Sequence, residues 1–128
     1  MAGNLSDYLE TVYLNWLRGT ATTPPSTLYL ALFTVAPTDA GGGTEVTGGA
    51  YARQVVTFGA PSGGQIVSSA DVVFPEAAAN WGTVVACAVF DAATAGNQLA
   101  QGPLASSATI NTGTVYKLLA GQVTLNLD

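Results

Sequence analysis

The sequence predicts a mainly β fold, an antiparallel β-sandwich or jelly roll preceded by one amphipathic helix. Three observations carry that expectation. Residues 5–18 alone space their apolar side chains at helical intervals. Everything after Ser26 reads as seven or eight short apolar or alternating segments. Gly, Pro, Asn and Asp separate those segments as turn formers do. A chain of 128 residues fits one such domain, large enough to bury about two-thirds of its unfolded surface without staples. The expected division is a helix and arm over residues 1–26 and a β-sandwich domain over residues 27–128.

In the helical segment, "LSDYLETVYLNWLR", Leu5, Leu9, Val12 and Trp16 recur at spacings of three and four, and Tyr8, Tyr13 and Leu17 widen the stripe. Asn4 or Ser6 suits the N-cap, Asp7 and Glu10 suit the positive end of the helix dipole, and Arg18 suits the negative end. Gly19 is a natural C′ residue, and the proline-rich "GTATTPPST" cannot continue a helix. The stripe is too apolar to leave in water. It folds back on its own sandwich or reaches onto a neighbouring subunit.

The strands follow in order. "TLYLALFTV" is apolar on both faces, as a central strand is. "YARQVVTF" alternates, with Tyr51, Arg53, Val55 and Thr57 on one side. Arg53 is thereby expected on a solvated strand face, and a large effect of its removal would point to an ion pair between subunits. "SADVVF" is short and ends at Pro75. "GTVVACAVFD" is a second buried strand. "NQLAQGPL" is short, with Pro103 marking an edge or a bulge. "GTVYKLLA" and "QVTLNLD" close the chain, the last alternating Val123, Leu125 and Leu127 against Thr124, Asn126 and Asp128. Leu30, Leu32, Val84 and Leu125 are expected core residues. Trp81, at a strand start beside Gly82, is expected in the core or at its edge. The candidate inter-subunit contacts are Leu9, Tyr13, Trp16 and Trp81.

Composition limits the functions open to the chain. Charged residues make up 9% of it, against about 25% for an average soluble domain. Covering such a surface strips few charges of water, which favours a protein that lives in contact with others. The net charge is −5, with Arg18, Arg53 and Lys117 the only cations. Nucleic-acid affinity comes from phosphate neutralisation by Lys and Arg, so no nucleic-acid partner is expected. No apolar run approaches the roughly 20 residues of a membrane span, so no membrane partner is expected either. The opening "MAGNLSDYLE" lacks the basic and apolar regions of a secretion signal.

Sites for chemistry are scarce. The stretch "APTDAGGGTE" looks at first like a phosphate-cradling loop. A P-loop, however, requires Lys and then Ser or Thr after its last glycine, and here Thr44 and Glu45 follow. An inter-strand turn is the expectation. There is no histidine, so the usual general base near neutral pH is missing. The single cysteine, Cys87, reads as a small buried hydrophobe and cannot build a structural zinc site. A carboxylate pair drawn from Asp71, Glu76 and Asp91, or a calcium site from Asp39 and Glu45, is outweighed by the ordinary role of such residues in turns. No catalytic, cofactor or metal residues are expected, and the chain is not expected to be an enzyme.

"LYLALFTVAPTDAGGGTEVTGGAYARQVVTF", with "NWGTV" and "VFDAATAGNQLAQGPL", resembles a family of small bacteriophage virion proteins commonly labelled tail-fibre-like. The resemblance runs from the helix near Leu5 to the last strand. It implies a virion component, on the outer surface of the head or on the tail, and brings no active-site residues with it. Within that family the reading taken here is a capsid decoration (cement) subunit, a homotrimer bound to the major capsid protein. The alternative is a tail-fibre or baseplate subunit, bound to tail proteins and involved in host attachment.

Overall fold

A computed structural model of the chain describes residues 1–127. Its elements are β1 (Ala2–Leu5), α1 (Asp7–Leu17), β2 (Leu28–Val35), β3 (Thr44–Glu45), β4 (Gln54–Val56), β5 (Gln65–Val67), β6 (Val72–Val73), β7 (Gly82–Phe90), β8 (Gln98–Ile110), β9 (Lys117–Leu118) and β10 (Thr124–Asn126). The architecture is a β-sandwich with one N-terminal helix.

The frame is β2, β7 and β8. β7 pairs antiparallel with both neighbours, Leu32 opposite Cys87 on one side and Gly102 opposite Cys87 on the other. β3 and β4 share the outer edge of β2, at its C-terminal and N-terminal halves respectively. On the far side the sheet continues through β1, β10 and β5. β6 and β9 form a separate two-stranded ribbon.

Period-two alternation on β2 feeds two apolar faces. Leu30 and Leu32 enter the main core with Val84, Cys87, Val89, Phe74, Ile110 and Val123. Ala31 and Phe33 enter a smaller cluster with Ala86 and Ala88. This is why the segment is apolar on both sides, as a central strand must be. Leu30, Leu32, Val84 and Leu125 are all buried, as expected.

Several elements differ from the sequence expectation, each for a non-local reason. Ala2–Leu5 is a strand in the middle of the sheet, antiparallel to β8 and parallel to β10. Its four residues show no β alternation of their own, and the slot between β8 and β10 defines it. Gly102 makes that slot narrow enough to close: a Cβ there would lie 2.5 Å from the Ala2 carbonyl oxygen. β8 is not short but runs 13 residues, because β7 offers a partner along most of its length. Pro103 sits where the β7–β8 register shifts between Val84 and Ala86, so the bulge is real, and β1 pairs with the preceding residues Ala100 and Gln101. Of "YARQVVTF" only Gln54–Val56 is a strand. The last alternation fails at Leu127, which is exposed while Val123 and Leu125 are buried; Asp128 lies outside the described residues.

α1 is shorter at its start than the 5–18 pattern: Leu5, expected in the helical stripe, is drawn into β1 by its pairing with Ala100, and of the two N-cap candidates Ser6 serves. Ser6 is the N-cap, its hydroxyl accepting from the Leu9 amide at 3.2 Å and donating to the Gln98 carbonyl. The helix ends at Gly19, whose φ of +103° allows its amide to close on the Trp16 carbonyl at 3.0 Å.

Candidate functional site

Two places on the molecule concentrate features that a bare sandwich does not need. One is a buried polar network at the end of β2 and β7. The other is the apolar outer surface of α1 with the groove beside it.

The network starts from Arg53. Its guanidinium grips Glu45 in a two-pronged pair, Nε to Oε2 at 2.9 Å and Nη2 to Oε1 at 2.8 Å. Nη1 donates to the carbonyls of Ala92 at 2.9 Å and Ala95 at 2.8 Å. The flat cation lies 3.8 Å over the Phe90 ring, which is itself stacked near Phe33 at 6.4 Å. The Tyr51 hydroxyl donates to Glu45 at 2.7 Å and accepts from the Leu32 amide at 3.0 Å. Burial raises the Glu45 pKa, but hydrogen bonds from Arg53 and Tyr51 and the Arg53 charge outweigh it and hold the carboxyl below its ordinary 4.5. Tyr51 is pushed up, first by burial and then by the Glu45 carboxylate it donates to. The phenol therefore stays a donor.

This corrects the expectation of a solvated Arg53 on a strand face. The Arg53 side chain is only 7% exposed, and its carboxylate partner lies in the same chain. The network clamps β3, the segment leading into β4, and the loop from Ala92 to Ala95 onto β2. Asp91 fastens the same loop by accepting from the Asn97 amide at 2.7 Å and the Asn97 side chain at 2.9 Å. Among the described residues every buried side-chain polar atom has a partner, so the network is a closed structural clasp.

The stretch "PTDAGGG" is the loop between antiparallel β2 and β3, tightened by paired hydrogen bonds of 2.9 Å between Thr38 and Gly41. It borders a polar hollow with Asp7, Tyr8, Phe90 and Asn97. Among the described residues no group of three or more His, Cys, Asp or Glu side chains is placed to hold a metal ion. Nor is any helix long and apolar enough to cross a membrane. Cys87 is fully buried, and desolvation pushes its thiol up to about 12.

The second place is α1. No residue of the helix is fully buried. Leu9 packs against the main core from outside. Beyond it the apolar stripe runs into solvent: Leu14 is 64% exposed, Trp16 60% and Leu17 74%, with Tyr13 half-exposed. Beside this ridge lies a groove of about 340 Å³ whose walls are Leu5, Leu9, Tyr13, Leu28, Ile66 and Leu125 among others. Leu127, exposed, stands at its rim.

The four residues singled out from sequence thus fall in two locations. Leu9, Tyr13 and Trp16 share the stripe along the helix. Trp81 is 5% exposed in the core, edge-on to Tyr51 at 5.4 Å, with its indole N–H on the Gly49 carbonyl at 2.9 Å. It does not stand on the surface that holds the other three. Sequence reasoning missed the groove, because its walls come from β1, α1, β2, β5 and β10 and meet only in three dimensions. It also missed Glu45 and Tyr51 as partners of Arg53; the only signal was a lone arginine amid apolar neighbours.

A family model described as Podophage GP4 fiber I protein gp80 matches residues 4–126. No curated protein matches the chain. The match spans β1 to β10, and so takes in both the clasp and the helix with its groove.

Proposed function

The chain belongs to the podophage GP4 fiber I protein gp80 family, and from that membership we propose that it is a tail-fibre subunit. It is a bacteriophage virion structural protein, a component of the particle that associates with other virion proteins. The finer reading is a place on the tail, in the apparatus of host attachment, held there by contacts with neighbouring subunits. The observation that carries it is the family match from residue 4 to residue 126, which names a fibre. The physical character of the chain fits. A sparsely charged surface is easily covered by neighbours. The clasp gives each subunit a fixed shape, and the bare apolar helix gives it something to bury. These features suit a capsid cement equally, and it is the family's fibre label that supports the tail reading.

The test is location. Gold-labelled antibody against the chain is applied to intact particles and to separated heads and tails. Label on tails supports the fibre reading. Label over the head lattice overturns it and restores the cement subunit.

A further inference from the structure

We propose that α1 and the groove beside it form a self-association surface, in which the last turn of the helix of one copy fills the groove of another. The inference rests on the reading above that the chain works by assembly, and it names the partner as a second copy of this chain.

The stripe that lines the groove is continuous with the ridge that leaves it. Leu9 and Tyr13, spaced by four, form the helix wall of the groove, and Leu5 at the end of β1 adjoins them. Trp16, seven residues after Leu9, continues the same line one turn beyond Tyr13, and there it is 60% exposed. Leu17 and Leu14 flank it. Knob and hole therefore lie side by side on one face. That is the arrangement an isologous contact requires, because each copy offers its own Trp16 while receiving its partner's.

The groove suits this occupant. At about 340 Å³ it is of the size that takes one large apolar group, and its walls are mainly leucine, isoleucine, proline and tyrosine, with Gln65 and Asn126 the polar side chains among them. Tryptophan, with tyrosine and arginine, is enriched among the buried central residues that carry a protein interface. The area is adequate as well. Tyr13, Leu14, Trp16, Leu17 and Leu127 together leave roughly 600 Å² of residue surface in water, at the top of what a monomer leaves bare. The groove walls other than Tyr13 and Leu127, which are already counted, bring it nearer the roughly 800 Å² per partner of a stable interface. Charge does not oppose it: the only ionised groups on α1 are Asp7 and Glu10 in its first turn, away from the last turn that carries the knob. Arg18 caps the other end and lies beside Asn15.

Sedimentation velocity from 5 to 200 µM, on the purified full chain and two variants, tests this. Trp16→Ala removes the knob, and Gln65→Glu sets a charge in the groove wall without touching the helix. The wild type is expected to form a closed oligomer reversibly, and each variant to weaken that association at least tenfold while keeping the wild-type circular dichroism spectrum. A wild type that stays monomeric at 200 µM overturns the inference, as does an association that neither variant weakens. Labelling of the particle is a separate readout. Tail label with a monomeric chain sinks this surface alone, and self-association with head label sinks the fibre reading alone.

Discussion

Replacing Arg53 by methionine keeps the aliphatic stem and removes the charge. What is left behind sets the size of the loss. Glu45 keeps a carboxylate with only the Tyr51 hydroxyl to satisfy it, and the carbonyls of Ala92 and Ala95 lose their donor. Breaking a buried ion pair from one side costs about 3–5 kcal/mol. The Glu45 side chain is 23% exposed, so water can partly rehydrate it, and the lower end of the range, about 3 kcal/mol, applies. For a chain of this size that is a fall in melting temperature of roughly 12 °C. Urea unfolding at pH 7, followed by circular dichroism, measures it. The pH dependence supplies an internal check. Because Glu45 is held below 4.5 in the fold, its contribution is complete above that value and is lost as pH falls through the lower folded value. The wild type should therefore lose stability on acidification more steeply than Arg53→Met, in which that contribution is already absent. A loss under 1 kcal/mol at pH 7, or parallel acid limbs, would show that the clasp is a solvated surface pair.

Other perturbations probe the rest of the fold. Leu30→Ala, at a site with no exposure, should destabilise by about 2–5 kcal/mol in the same unfolding assay. Gly102→Ala drives a methyl into the Ala2 carbonyl and should cost about 1–3 kcal/mol, with faster amide exchange at Asn4 and Leu5, which would show β1 leaving its slot. Ser6→Ala removes the N-cap acceptor and the donor to Gln98, a loss of about 1–2 kcal/mol by unfolding. Cys87, buried with its thiol pushed up to about 12, should resist Ellman's reagent in the native protein at pH 8 and react fully in urea.

What the sequence revealed and what it hid divide along physical lines. Features written in local spacing were legible. The helix has a 3.6-residue period, a serine cap and a glycine stop within one short segment, and its start lies two residues and its end one residue inside the 5–18 pattern. β2 and β7 are long apolar runs bounded by turn formers. The absence of histidine and the lone buried cysteine narrowed the chemistry without any coordinates. Features set by distant partners were not legible. Ala2–Leu5 carries no β pattern, because β8 and β10 supply all of its pairing. The 13-residue β8 reads as short because Ser, Thr and Gly in "GPLASSATI" dilute its alternation. Arg53 looked like an outward strand residue because alternation says which side a residue faces, not whether that side is covered. Its partner Glu45 lies on β3, and the carbonyls it donates to come from a loop about 40 residues on. The groove beside α1 has the same origin, since its walls run from Leu5 near the start of the chain to Leu125 near its end.

The most direct test is a side-chain-resolution map of the intact particle of the phage that encodes this chain. The density is expected to show this sandwich on the tail, with Trp16 and Leu17 covered and the adjoining groove filled by the helix end of another copy. A map placing the fold on the head lattice, or on the tail with that face of α1 open to water, would contradict the account.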